Sequence, residues 1–441
     1  MNPQRFLRLV SGAMAALGIS AAAIVALNLR GEDPLPSAET LKPTPALVAQ
    51  GEYLTRVGNC MACHTVQGGA PFAGGRGIET PFGVVYSSNL TPDKATGLGA
   101  WTSAEFWRAM HNGRGKDGRL LYPAFPYTSY THVTREDSDA IFAYLQSLPP
   151  VAQANKAHAL RFPYSTQAAL GVWRALFFTP ADVAQPAASA PQALATAQVP
   201  DYQRGAYLVN GLGHCAACHT PRNSLGAEQQ GQALAGGLIP VQNWLAPALT
   251  DAGQAGVQRW PQADVVALLK TGVAPQASVI GPMAEVVFRS TQYLSDADAR
   301  AMAVYLQALP QHAATPAKQA VAPVSVMERG AKVYEAQCAQ CHGAQGQGAK
   351  DEAGQPAFPP LAGNRAVVLA DPTNLVRVVL QGGYLPATAG NPRPHGMPPF
   401  QRLLGDEDVA AVATFVRNSW GNQAAGVGTI EVYRARERRT P

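Results

Sequence analysis

All six cysteines of the chain fall into one pattern used three times: Cys60-Met61-Ala62-Cys63-His64, Cys215-Ala216-Ala217-Cys218-His219 and Cys338-Ala339-Gln340-Cys341-His342. No thiol is left for another purpose. Each C-x-x-C-H unit sets two sulfurs on one helical turn with an imidazole directly after them. A redox dithiol does not need that histidine, and here every unit has it. Zinc sites pair two C-x-x-C units or add a distant H-x-x-x-H, and neither spacing occurs. A disulfide framework would not place every cysteine three residues from its neighbour.

The pattern is that of c-type haem attachment. Two cysteines on one turn each add to a haem vinyl group, and the adjacent histidine reaches the iron as proximal ligand. The expectation is three covalently bound haem c groups. They sit on Cys60 and Cys63, Cys215 and Cys218, and Cys338 and Cys341, with His64, His219 and His342 as axial ligands. Such a chain moves single electrons.

Length agrees, since 441 residues correspond to about three domains of ordinary size. Hydrophobic residues make up 47% and charged ones 14% of the chain, with a formal charge of +5. Haem propionates would offset part of that charge, so nothing points to a nucleic-acid partner. The cluster Arg114, Lys116 and Arg119 reads as a solvated loop or as propionate partners.

At the N-terminus, Arg5 and Arg8 precede an uncharged run from Leu9 to Leu29. Two readings compete. Ala21-Ala22-Ala23 has the small residues of a signal-peptidase site, whereas the length approaches that of a membrane span. The run exceeds a usual signal core, which favours an anchor with the arginines inside. Either reading exports the remainder to the periplasmic face of the inner membrane, where c-type cytochromes mature.

The repeat extends beyond the cysteines. A glycine and an aromatic-bearing helical stretch precede each motif, at Gly51-Glu52-Tyr53-Leu54, Gly205-Ala206-Tyr207-Leu208 and Gly330-Ala331-Lys332-Val333-Tyr334. Helical patterns close each segment at Asp137 to Leu148, Asp296 to Leu309 and Asp406 to Trp420. Thr134 with Asp137, and Ser295 with Asp298, have capping-box spacing. The expected fold is therefore all-α: three tandem class I cytochrome c domains behind an N-terminal hydrophobic helix. The expected domains span 47–150, 201–310 and 325–422. Residues 1–30 are the signal or anchor, and 31–46 and 311–324 are Pro/Ala-rich linkers. Residues 151–200 form a connector, and 423–441 an exposed basic tail. Within the connector, Ala168 to Phe178 (AALGVWRALFF) reads as an apolar helix, either packed between domains or touching a membrane or partner subunit.

A methionine sulfur opposite the histidine favours reduced iron and suits electron transfer. Met283 follows His219, and Met397 follows His342, at comparable intervals. Both stand just before a closing helix, and the matching places make them distal ligands. The first segment departs, because the corresponding interval after His64 ends on Phe125, which cannot bind iron. Its haem is either five-coordinate or ligated by Met110, His111 or His132.

With these residues in view, the chain resembles the three-haem cytochrome c subunits of bacterial membrane-bound dehydrogenases, from about residue 47 to 422. The stretches that carry the likeness include IETPFGVVYSSNLTPD (Ile78 to Asp93), KDGRLLYPAFPY (Lys116 to Tyr127) and RGAYLVNGLGHCAACHTPRNSLG (Arg204 to Gly226). Shorter ones are GPMAEVV (Gly281 to Val287), DPTNLVRVVL (Asp371 to Leu380) and RNSWGN (Arg417 to Asn422). The resemblance implies electron transfer from a catalytic dehydrogenase subunit (a quinoprotein, a flavoprotein or a molybdenum hydroxylase) to ubiquinone. It also implies distal ligation by Met283 and Met397, with Phe125 where many members have the first distal methionine. The chain would then be no enzyme itself. No Gly-rich dinucleotide fingerprint opens a βαβ unit, and the haem segments use up the length. Two alternatives are a shuttle to a terminal oxidase and a multihaem peroxidase or reductase using an open first haem.

Overall fold

A computed structural model describes residues 3–32, 41–185, 187–311, 322–350, 352, 354 and 356–437. Much of the two expected linkers, and the end of the tail, lie outside these. The chain divides into two compact units. One comprises Met1–Thr55, Cys60–Gln185 and Ser224–Ala227; the other comprises Arg56–Asn59, Pro186–Asn223 and Glu228–Pro441.

One joint is built three times. The leading helices Pro45–Val57, Val199–Tyr207 and Val324–Gln337 cross the closing helices Arg135–Ser147, Asp296–Gln307 and Asp406–Arg417. At each crossing a glycine meets the partner backbone. A Cβ on Gly51 would lie 1.9 Å from the Ala140 carbonyl oxygen, one on Gly205 2.0 Å from that of Ala301, and one on Gly330 2.3 Å from that of Ala411. Only a residue without a side chain lets the helices approach this closely. Thr134 and Ser295 cap their helices as the spacing predicts, each side chain accepting from the backbone N–H three residues on.

The all-α expectation needs correction in detail. Among the described residues, beside the helices lie a three-stranded antiparallel sheet (Gly77–Thr80, Gly83–Tyr86 and Ala159–Leu160) and four two-stranded ribbons. These strands are only two to four residues long, too short to leave a period-2 signature.

In the second unit, the segments around His219 and His342 join through backbone partners. Asn374 accepts from the Leu245 N–H (2.9 Å) and donates to the Leu245 carbonyl (2.7 Å), while the Arg365 N–H donates to the Gln276 carbonyl at 2.8 Å. The Arg377 guanidinium lies 4.9 Å from the Trp244 ring centroid. Arg417 is fully buried and donates to the carbonyls of Ala425, Val367 and Leu369.

The basic tail is not wholly loose. Thr429–Glu437 is a helix whose Val432 and Ala435 pack into a core with Val376, Val409 and Ala413. Arg436 pairs with Asp406 at 2.8 Å. The local charge hid two small apolar residues three apart, enough for one buried face.

In the first unit, the N-terminal apolar run is a helix, Pro3–Leu29. Its Val10–Leu29 portion exposes apolar side chains all round until Asn28, which is buried and donates to the Gly171 carbonyl at 2.9 Å. Just beyond, Glu32 accepts from Arg114 (2.8 Å) and Arg174 (3.3 Å). Asn112 donates to the Gly31 carbonyl at 3.0 Å. Arg114 is thus a structural partner, not the solvated charge its neighbours suggest. Arg174, 2% exposed, belongs to the helix Gln167–Phe177. Burial lowers its pKa, and Tyr127 and Glu32 oppose that.

Candidate haem sites

Each C-x-x-C-H motif ends in a short helical turn: Cys60–His64, Ala216–His219 and Ala339–His342. Each histidine ring meets a backbone carbonyl through Nδ1. The acceptors are Ser88 at 2.7 Å, Pro247 at 2.7 Å and Pro359 at 3.0 Å. An imidazole can pair with a carbonyl only by donating, so Nδ1 carries the proton and Nε2 keeps its lone pair for a metal.

The acceptor loop is itself tied to the histidine. Gly74, Gly236 and Gly348 donate their N–H groups to the carbonyls of His64 (2.8 Å), His219 (2.7 Å) and His342 (2.9 Å). Two residues earlier, the carbonyls of Phe72, Leu234 and Gly346 accept from Leu90, Leu249 and Leu361 at 2.8, 2.8 and 2.7 Å. Each of those leucines stands two residues after a ring acceptor. Phe72, Leu234 and Gly346 all have left-handed φ, at 60°, 59° and 60°. For a non-glycine residue that conformation costs roughly 1 kcal/mol, and such strain gathers at functional sites. The same knot thus recurs three times.

At Gly236 (φ 80°), an added Cβ would lie 2.7 Å from the Ala248 backbone nitrogen, one residue past the ring acceptor. Gly236→Ala should cost about 1–3 kcal/mol and loosen the His219 ring. Thermal unfolding would show the first effect. A shift in one midpoint potential, with the others unmoved, would show the second.

The electrostatics fit a neutral, metal-ready site. Burial pushes the free thiols of Cys60 and Cys215 up to about 12 and Cys338 up to about 11, with the neighbouring cysteine adding to each. Cys218 is also raised by burial, against the pull of Arg222. Burial lowers His64, His219 and His342, and their carbonyl partners offset part of this. Neutral sulfur and neutral imidazole with a free Nε2 are what a thioether-linked, histidine-ligated haem requires. The residues present fit that group.

Met283 is the second residue of the helix Pro282–Arg289 and packs with Val279, Ala284, Val287 and Leu268. Met397 is half-buried in a two-residue strand paired with Gly383. In the first unit, burial and the nearby Cys60 and Cys63 sulfurs hold the Tyr130 hydroxyl well above its usual range. The Phe125 ring lies 5.3 Å from that of Tyr130, so it stands close to this attachment turn. Met110 and His111 are buried on the helix Ser103–Asn112, with His111 stacked on Trp107 at 4.5 Å. His132 is half-buried in the turn after Tyr127–Tyr130, and burial lowers its pKa.

The carbonyl acceptors were not among the residues expected from sequence. Only the structure brings out their shared setting: a left-handed residue two before a glycine (Phe72-Ala73-Gly74, Leu234-Ala235-Gly236, Gly346-Gln347-Gly348) and a leucine two after each acceptor.

Comparison with known proteins places this geometry. The family described as cytochrome c matches residues 48–149, 202–310 and 327–420. The cytochrome c subunit of a quinone alcohol dehydrogenase from Gluconacetobacter polyoxogenes is 39% identical, covering 89% of this chain and 84% of its own. The gluconate 2-dehydrogenase cytochrome c subunit of Pantoea cypripedii is 39% identical, covering 88% of each chain. The fructose dehydrogenase cytochrome subunit of Gluconobacter japonicus is 35% identical, covering 90% of this chain and 85% of its own.

Proposed function

The chain belongs to the cytochrome c family, and from that premise we propose that it is the three-haem electron-transfer subunit of a membrane-bound dehydrogenase complex. It takes electrons from a catalytic partner and passes them to ubiquinone at the periplasmic face of the inner membrane. The observation that carries this reading is the triple histidine knot, together with relatives that are cytochrome subunits of alcohol, gluconate and fructose dehydrogenases over most of their length. The haem domains are 47–150, 201–310 and 325–422.

Bound to this chain, haem c supplies reversible one-electron storage. The residues do the rest. Cys60 and Cys63, Cys215 and Cys218, and Cys338 and Cys341 hold the groups covalently, as suits a relay whose cofactor stays while its electrons leave. His64, His219 and His342 present Nε2 from rings fixed by a carbonyl. Met283 and Met397 supply soft sulfur donors that favour the reduced state. Substrate oxidation belongs to the partner, whether quinoprotein, flavoprotein or molybdenum hydroxylase.

Intact-mass measurement of the mature chain should show three porphyrins surviving acid extraction. Replacing Cys338 and Cys341 by alanine should remove one of them. A bare polypeptide from a host competent in cytochrome maturation would overturn the reading. The complex isolated with its partner should reduce a ubiquinone analogue with the partner's substrate; reduction of an oxidase but not of quinone would make the chain a shuttle instead.

A further inference from the structure

We propose that the helix Pro3–Leu29 is retained as a transmembrane anchor and is built into the first folded unit by the Asn28–Glu32 clamp, which sets that unit directly on the lipid surface. The inference rests on the membrane setting proposed above, but not on the number of haems or on the redox partner.

The span Val10–Leu29 is 20 residues with mean hydropathy 2.1, and none of it is buried by the rest of the protein except at its last turn. At about 1.5 Å per residue it matches the ~30 Å of a hydrocarbon core. Met14, Leu17 and Ile19 are 69–71% exposed. Such a surface in water would cost about 25 cal/mol per Å², so lipid is its cover.

A cleavable leader needs no fit to the mature fold, yet here the end of the run is part of it. Asn28 spends its amide on its own helix, at the Ile24 carbonyl (2.8 Å), and on the Gly171 carbonyl. Glu32, four residues further on and 11% exposed, neutralises the buried Arg174 and joins it to Arg114. Arg114 in turn donates to the Asn28 carbonyl at 3.1 Å. Removing Glu32 would leave a buried guanidinium without its counter-charge, the costly case for an ion pair.

The clamp also places the helix Gln167–Phe177 beside the end of the span. One face of that helix is packed inward by Leu170, Arg174 and Ala175. The other carries Ala168, Val172 and Leu176 at four-residue spacing, all exposed and none charged. A stripe of this kind, on a helix that packs against the end of a membrane span through Asn28 and Gly171, suits the acyl–headgroup boundary. The apolar reading of this segment is thus divided between its faces, one packed and one against lipid.

The test cuts the covalent tether and asks whether the clamp holds. A protease site is placed at residues 35–38 of the full chain, and the complex is solubilised in mild detergent, cut and passed through a sizing column. The N-terminal peptide, starting before residue 10 by mass, should elute with the haem-bearing chain. With Glu32→Ala it should separate, retention falling at least about tenfold, which corresponds to 1.4 kcal/mol. If Glu32→Ala does not mature, Asn28→Ala, which removes two neutral hydrogen bonds, serves in its place. Separation of the unmutated peptide would overturn the clamp, as would a peptide that stays bound in the variants. A mature chain beginning after Ala23 would overturn retention. The haem absorbance of the same fractions reports separately on the proposed function.

Discussion

A Phe125→Met variant is expected to close the first haem site to carbon monoxide and to raise its midpoint potential by on the order of 100 mV, within the ~0.8 V range that axial ligands command. The interval from His64 to Phe125 is longer than that from His342 to Met397 and shorter than that from His219 to Met283. Under the proposed ligation by Met283 and Met397, Phe125 takes the place of a distal methionine in the first segment. Its ring contacts Tyr130, which in turn neighbours Cys60 and Cys63. A phenyl ring has no lone pair to offer iron, so the native first site should be the one that takes up carbon monoxide on reduction. Potentiometric titration and reduced-minus-carbonyl difference spectra of the whole complex, native and variant, would measure both effects. Three low-spin, methionine-ligated haems in the native protein would end the open-site reading and turn attention to Met110, then His111 and His132. Peroxide turnover lost in the variant would favour the reductase alternative.

Arg417→Met should be the most damaging single change outside the haem ligands, at about 3–5 kcal/mol. The guanidinium is wholly buried and serves three carbonyls: Ala425 at 2.8 Å, Val367 at 2.8 Å and Leu369 at 2.7 Å. Burial lowers its pKa to about 10, with Asp371 opposing, so it stays charged at neutral pH. Methionine fills much of the volume but leaves three acceptors without a donor. Arg417→Lys should recover little, because one ammonium cannot span the fork. Denaturant unfolding followed by helical circular dichroism would give the cost. A change under about 1 kcal/mol, the net worth of one ordinary hydrogen bond, would mean that water replaces the guanidinium at those carbonyls.

The features legible in the sequence are those carried by neighbours along the chain. Cysteine spacing, the glycines of the leading helices and the closing helices with Thr134 and Ser295 all have local signatures, and the structure shows the corresponding helices and crossings. The ring acceptors do not, because any residue carries a carbonyl, and Ser88, Pro247 and Pro359 follow their histidines at distant and unequal intervals. Arg114 reads as a solvated loop or a propionate partner, and nothing along the chain marks Arg174 or Arg417 as buried, since only tertiary structure supplies the Glu32 carboxylate or the carbonyls that make burial tolerable. The short strands were invisible for a related reason: two residues cannot establish a period. Tail packing at Val432 and Ala435 was masked by surrounding arginines.

The histidine knot bears on speed as well as on affinity. An imidazole pinned at Nδ1 and at its own carbonyl has little freedom to swing when the charge on its metal changes by one. With haem c bound, such pinning would keep reorganisation small and let an electron pass on a small driving force. The carbonyl also lends basicity to the ring, so with haem bound the loops bearing Ser88, Pro247 and Pro359 would each tune one site. A terraced series of potentials can then evolve by edits to those loops while the iron-bonding residues stay untouched.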